Sequence, residues 1–534
     1  MTQIIFLSML LSVWQNPTPV YVGPGDQEID VVISDGEGGA AIIWWDDVTR
    51  WNYMQVIDSA GNLKWGTEGV PILMMPDTST RRPDVFRDDD GNYWITLEIL
   101  SGAEVFVQKM SPDGERLLGD RGVDLCTAEG ERSAPFICKS GDGVIVVWED
   151  DRDGWSDLYM QRVDSEGNLK WQPDGLPLRV LTGIEAAHSQ NIVHDDNGGG
   201  IIVYWTSLGE FPPGSIYTQR VDSLGQLLWG DSGIFVEEAE LSKWQKKAFT
   251  DNEGGMIFRY YTSGYRYQRL NGNGEKVWDS AGVVVGFNTY RRLRSSDLGP
   301  NGIYTANGDA IEQIVYANRL TADGITACGT SGVEIWNAHP GSSTGDIIPA
   351  VTHDGIIVWR DLYDELGWYE QQGILAQRVD TLCNTLWGEE VVVAGTEGGN
   401  PHAVATYDKA AIVIWQTGDI YAAHLDSLGN ISGIVEESIP TITPLQLELV
   451  SGNLVNGSVR LRLSIPQGTL VNVAVYDASG RLVNTLINHN LSEGIHEITW
   501  NEVDQIGYKV STGIYFVRVA ALGRAVTEKI VLIK

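Results

Sequence analysis

The chain has 534 residues and a formal net charge of −34, from 71 Asp and Glu against 37 Lys and Arg. So acidic a surface repels phosphate backbones and anionic lipid, which argues against nucleic acid as a partner. With 43% hydrophobic residues the sequence can bury a large core, and 61 glycines suit an all-β chain of short strands and tight turns.

In chain order, Ile4–Trp14 (IIFLSMLLSVW) is an apolar run after MTQ. Its length suits a signal-peptide core and is too short for a membrane helix, so residues 1–15 are read as a signal peptide. No later stretch is long and apolar enough to form a transmembrane helix in the mature chain.

The dominant signal is a repeat. IYTQRVDSLGQLLWGDSG (Ile216–Gly233) restates LYMQRVDSEGNLKWQPDG (Leu158–Gly175). Its core, aromatic-x-Gln-Arg-apolar followed by a Gly turn and Leu-x-Trp, places a Gln/Asn column at Gln55, Gln108, Gln161, Gln219, Gln268, Asn318 and Gln377, closed by Ala423. The mean spacing of these eight positions is about 53 residues.

Each copy is preceded by a Gly-rich turn and an aliphatic run, as in DGEGGAAIIWW (Asp35–Trp45) and GDGVIVVWED (Gly141–Asp150). Four β-like runs per repeat, without helical periodicity, define one blade of a β-propeller. The expected architecture over residues 16–436 is all-β and eight-bladed, with seven blades as the alternative because the sixth repeat is irregular. The aliphatic run is expected nearest the axis, the Leu-x-Trp segment is expected to be a strand, and the Gln-Arg column is expected to bond between blades. VWQNPTPVY (Val13–Tyr21) is expected to close the ring on the worn last repeat.

Residues 437–446 read as a linker. From Leu447 alternating strands predict a small Ig-like β-sandwich over 447–534. VAVYDASGRLV (Val473–Val483), EGIHEITW (Glu493–Trp500), STGIYFVRV and the terminal KIVLIK carry a resemblance. The segment resembles the C-terminal sorting domains of type IX secretion substrates and the related Ig-like domain of flagellar hook-capping proteins. The motif positions are Tyr476, Asp477, Gly480, Arg481, Gly494, His496, Trp500, Gly513, Tyr515, Lys529 and Lys534. The resemblance implies secretion machinery as a partner, passage across a bacterial outer membrane, and a secreted or cell-surface location. A final strand at a sheet edge would suit reading by strand addition.

For chemistry, no HExxH, GxSxG, P-loop or dinucleotide-binding motif appears, and the eight His are scattered. The Cys spacing fits no zinc site. Cys126 and Cys138 could bridge locally, and Cys328 and Cys383 lie about one repeat apart. The acidic turns RDDDGN (Arg87–Asn92) and HDDNGGG (His194–Gly200) read as backbone turns; no cofactor is expected, Ca²⁺ being the one candidate they raise.

The most site-like residues follow the aliphatic runs: Trp45, Asp46, Asp47, Trp148, Asp150, Asp151, Arg152, Trp359 and Asp361. Aromatic faces beside carboxylates on a common rim suit a surface glycan or protein ligand. The expected function is non-catalytic binding or adhesion. The rival expectations are a glycan-acting hydrolase or lyase at the propeller mouth and a structural surface-layer component.

Overall fold

The computed structural model describes residues 17–533 apart from 101–103, 182–184, 209–213, 240–246, 263, 286–292, 296–301, 309–313, 338–346, 350–353, 364–369, 396–398, 400, 407–409, 433–445, 450–453, 456, 466–468, 479, 492–493 and 522–523. The signal-peptide segment, residues 437–445 of the linker and Lys534 therefore lie outside the described residues, while Gln446 already belongs to a strand. The chain divides into two compact units, 1–435 and 436–534.

Among the described residues the first unit holds eight antiparallel meanders in chain order. The first comprises Gln27–Ser34, Ala40–Asp46, Asn52–Ile57 and Val70–Pro71. Its second strand, AAIIWWD, is almost wholly buried because a neighbouring sheet covers each of its faces. Each successive pair of sheets shares an apolar core. Eight such cores run in cyclic order, and the last unites the eighth sheet (Ile412, Ile414, Ile420) with the first (Ile29, Ile42, Trp44). That cyclic order is what a propeller requires: no sheet is left with a bare apolar face.

The ring closes with Thr18–Tyr21, which pairs antiparallel with Ile420–Leu425 of the eighth sheet, Thr18 opposite Ala422. The irregular sixth repeat forms a full meander, Leu293–Ser295, Ile303–Gly308, Ile314–Leu320 and Val333–Asn337.

Four details differ from the expectation. The aliphatic run is the second strand, and the strand before it is innermost, lying against its counterparts in the adjacent sheets. Leu-x-Trp is not a full strand: Leu63 makes only an isolated bridge to Ile57, which frees Trp65 to turn into the core between the first two sheets. The Gln column bonds within its own sheet. Gln161 Nε2 donates to the Gln172 carbonyl at 2.9 Å, and its Oε1 accepts from Trp171 N at 2.9 Å. The Arg beside it does reach the next sheet, as Arg220 Nη1 does to the Gly272 carbonyl at 2.6 Å.

The fourth detail concerns cysteines. Cys126 and Cys138 are free, because the third sheet lies between them: Cys126, just after the second sheet's last strand, packs in the core between the second and third sheets, and Cys138 in the core between the third and fourth. Cys328 and Cys383 form a disulfide between the sixth and seventh sheets.

The second unit is a two-sheet β-sandwich. Gln446–Leu449, Val459–Ile465 and Gly494–Trp500 form one sheet. Leu454–Val455, Arg524–Leu532, Gly513–Ala521, Thr469–Asp477 and Leu482–Leu491 form the other, in that order. The sheets share a core of Val471, Val473, Val475, Trp500, Tyr515 and Val517. The last strand is only partly an edge, since Leu454 and Val455 pair with its end in parallel.

Candidate functional site

The register of the sheets sorts each blade's residues into rings. The Gln column defines a scaffold ring that is nearly invariant and at most 3% exposed. Moving along the second strand toward the loop that follows it, the residue three beyond Gln's partner is Trp45, Glu98, Glu149, Trp205, Tyr261, Gly308, Arg360 or Gln416. No two blades share a described pair of this residue and its partner on the innermost strand, which is Glu28, Arg81, Ser133 or His188 in the first four sheets. These positions ring one mouth of the propeller.

Backbone irregularity helps to place them. The innermost strands of the first four sheets each slip register just beyond this ring, and Arg82 and Ala134 sit there at φ of 51° and 49°. Such bulges re-aim side chains beside sites. They also turn inner-edge N–H groups toward the preceding sheet: Glu98 accepts from Ala134 N at 3.1 Å, and Gln416 from Ile29 N at 2.6 Å.

The charged groups at this mouth are paired. The Arg81 guanidinium lies 3.6 Å from the Trp45 ring centroid and 3.2 Å from the Glu28 carboxylate. Arg82 meets Glu98 at 3.2 Å. His188 Nδ1 lies 3.0 Å from Glu149 Oε2, and its ring stacks on Trp205 at 4.6 Å. His188 is only 7% exposed, and its Nε2 has no hydrogen-bond partner among the described residues. Deeper inside, Asp30 accepts from Asn52 Nδ2 at 2.7 Å and Asp84 accepts from Ile137 N at 2.9 Å. Burial pushes both carboxyls up to about 6.

Of the rim residues singled out by sequence, Trp45 stands at this mouth. Trp148 and Trp359 sit one register position deeper, fully buried in inter-sheet cores. Asp46 is buried and accepts from Thr49 N, holding its own turn. Asp150 is buried under Arg152 Nε at 2.8 Å and the Trp148 indole N–H at 3.0 Å. Asp47 and Asp151 accept from Asp26 N and Glu131 N, bracing the loop before each innermost strand. The side chain of Asp361 lies outside the described residues. Arg81, Glu98 and His188 were missed by sequence reasoning; the signal for them is departure from the repeat, visible only once strand register is known.

In the second unit Trp500 and Tyr515 meet edge to face at 5.3 Å in the core. Asp477 holds Arg481, by its backbone N and Nε, across a turn in which Gly480 has φ of 81°. Tyr476 and His496 are half-buried, Lys529 and Gly513 are exposed, and Gly494 starts its strand.

The first unit is thus a β-propeller and the second an Ig-like sandwich. Residues 448–524 match the FlgD Ig-like domain family. No curated protein matches the chain in sequence. Among solved structures, the chain is similar to a prolyl endopeptidase (11% identity, TM-score 0.41, covering 74% of this chain and 53% of that one). It is also similar to a PL25 ulvan lyase (12%, TM-score 0.37, 55% and 78%) and to PorZ of Porphyromonas gingivalis, a surface component of the type IX secretion system (9%, TM-score 0.19, 95% and 93%). The propeller assignment rests on the chain's own sheets rather than on these likenesses. No helix among the described residues is long and apolar enough to cross a membrane.

Proposed function

We propose that this is an exported binding propeller whose ligand, a surface glycan, docks at the mouth ringed by Trp45, Glu98, Glu149, Tyr261, Arg81 and His188. The observation that carries the reading is the contrast between rings: the Gln scaffold position is nearly the same in every blade, while at the mouth no described pair of facing residues recurs. A repeated residue makes the same bond eight times, whereas a once-only residue serves a single asymmetric partner. Carboxylates fixed by Arg and His partners, with aromatic edges between them, suit the hydroxyls and CH faces of sugars. Export is supported by the Cys328–Cys383 disulfide, which persists in oxidising compartments, and by the sorting-domain resemblance of the C-terminal unit. On this reading the second unit engages secretion machinery, and the mature protein is displayed at or beyond an outer membrane.

The test is affinity electrophoresis of the full chain through gels containing neutral and acidic polysaccharides. Retardation by at least one polysaccharide is expected, with about a tenfold loss in Trp45→Ala and Glu149→Gln. Equal mobility in every gel, or unchanged retardation of both variants, defeats the proposal.

A second reading, a glycan-acting hydrolase or lyase, is favoured by one observation, the Glu149–His188 pair. A carboxylate on Nδ1 fixes the imidazole and leaves Nε2 to exchange a proton. New reducing ends or unsaturated products, lost in His188→Gln, would establish it.

A further inference from the structure

At the opposite end of the propeller, three consecutive sheets carry basic side chains at one position of the innermost strand. The innermost-strand residue paired two positions before the Gln column's partner is Ser34 in the first sheet, Thr250 in the fifth, Pro349 in the seventh and Ala405 in the eighth. In three consecutive sheets, the second to the fourth, it is Arg87, Lys139 and His194. These three side chains border a cleft of about 420 Å³, together with Phe86, Asp89 and Asp196. The two acidic turns that the binding mouth does not use, Arg87–Asn92 and His194–Gly200, form two of its walls.

The turn acids divide into two roles. Asp88 and Asp195 fold inward and hold the turns, accepting from Asn92 N at 2.8 Å and Gly199 N at 2.7 Å. Asp89 reaches across the cleft, whereas Asp196 stays beside its own turn and also accepts from Gly254 N of the fifth sheet at 3.2 Å. Asp89 pairs with Lys139 of the next sheet, and Asp196 lies 2.8 Å from His194 Nδ1. Arg87 differs from both neighbours: its guanidinium reaches the Tyr93 ring at 5.9 Å, and no carboxylate pairs with it among the described residues. The floor is kept low by Gly141 and Gly198, both at positive φ, where a side chain is disfavoured.

We infer that this cleft is a second binding site, for a monoanionic sugar acid of the uronate class. Arg87 supplies the bidentate donor geometry that a carboxylate matches. Lys139, held by Asp89, presents its remaining N–H donors at a fixed position. Asp89 and Asp196 accept hydroxyl hydrogen bonds, and Phe86 offers an apolar wall to ring CH groups. The two carboxylates also select against a phosphate dianion, which they would repel at close range. The volume lies within the range of small-molecule sites. A polyuronate end or side branch could enter, because the cleft lies at the surface of the turns.

The experiment is isothermal titration of the full chain with glucuronate, glucose and inorganic phosphate as separate probes. Glucuronate is expected to bind, with glucose and phosphate each at least about tenfold weaker. Arg87→Gln is expected to lose about tenfold or more for glucuronate. Since Arg87 packs on Tyr93, Lys139→Gln is the second variant, with an expected several-fold loss and an unaltered melting temperature. Trp45→Ala, at the other mouth, is expected to bind glucuronate as the wild type does. Absence of glucuronate binding at millimolar concentration, equal binding of glucose or phosphate, or full retention in both cleft variants overturns the inference. Polysaccharide retardation through the other mouth is read separately, so one site can fail without the other.

Discussion

The indole N–H of Trp65 donates to the Pro112 carbonyl at 2.9 Å, tying the outer turn of the first sheet to that of the second. Trp171 to Ser223, Trp278 to Ala322 and Trp387 to Ser427 repeat the bond at 3.3, 3.1 and 3.3 Å. Where the phrase carries this Trp, the four bonds show one use of it: each latches one sheet to the next. Trp65→Phe should keep the packing and lose the latch, costing about 1 kcal/mol in chemical denaturation. Trp65→Ala also leaves a cavity and should cost about 3–5 kcal/mol. A Trp65→Phe variant as stable as the wild type would mean that the hydrogen bond contributes nothing.

The Gln column makes a second, larger prediction. Gln161 is fully buried and satisfies the Gln172 carbonyl and the Trp171 and Arg162 N–H groups. Gln161→Leu fills a similar volume but orphans buried backbone groups, so a loss of about 2–4 kcal/mol is expected. The eighth sheet carries Ala423 at this position and lacks that clamp. A melt in which Gln161→Leu unfolds as the wild type does would show that water replaces the side chain.

Ring closure depends on a strand supplied from the other end of the propeller sequence. Val20 is fully buried against the eighth sheet, and Thr18 and Pro19 pair with Ala422 and Tyr421. Removing residues 17–21 should expose the edge Ile420–Leu425, lower the melting temperature and promote association through that edge. A synthetic peptide of residues 13–24 added in trans should restore the melt. A truncated chain that is as stable and monomeric as the full one would rule out this closure.

The propeller repeat, the closing strand and the second unit's sandwich were legible in the sequence, because each leaves a periodic trace: Gln at one phase, Gly at another, alternation in VNVAVYD. What was not legible depends on register across strands. Trp148 and Trp45 look alike in sequence, each ahead of an acidic pair, yet the pairing of Trp148 with Tyr159 and of Trp45 with Asn52 sets them one position apart and on opposite faces. Cys126 and Cys138 look near enough to bridge, yet the third sheet lies between them. His188 and Glu149 lie in different repeats and meet only because the fourth sheet's innermost strand lies against the second strand of the third sheet.

The disulfide can be tested directly. Cys328 and Cys383 are 55 residues apart and join the sixth and seventh sheets, while Cys126 and Cys138 remain thiols. Alkylation in denaturant without reductant should label two cysteines, Cys126 and Cys138, and four after reduction. On the chain-entropy model a closed loop of this length stabilises by about 4 kcal/mol, so Cys328→Ser with Cys383→Ser should lower stability by up to that amount. Four labelled cysteines before reduction would remove this support for an oxidising compartment.

Two half-buried carboxyls near the mouth should give the protein a distinctive pH response. Burial pushes Asp84 up to about 6 against hydrogen bonds from Ile137 N and Val85 N, with Lys247 opposing as well. Asp30 is likewise raised to about 6 by burial; its bond from Asn52, Arg81 and His402 oppose the shift and Glu28 adds to it. In the unfolded chain both titrate near 3.8. The folded state therefore holds these protons more tightly than the unfolded one. The stability they contribute is complete below about pH 4 and is lost as pH rises through about 6, on the order of 1–3 kcal/mol per group. Asp84→Asn and Asp30→Asn remain neutral throughout, so each should gain stability over the wild type at about pH 7.5 and lose that advantage at about pH 4. The difference between variant and wild type isolates the effect from the relief of general acidic repulsion. Denaturation curves whose variant and wild-type midpoints run parallel across this window would show that neither carboxyl titrates in the folded protein as its surroundings dictate.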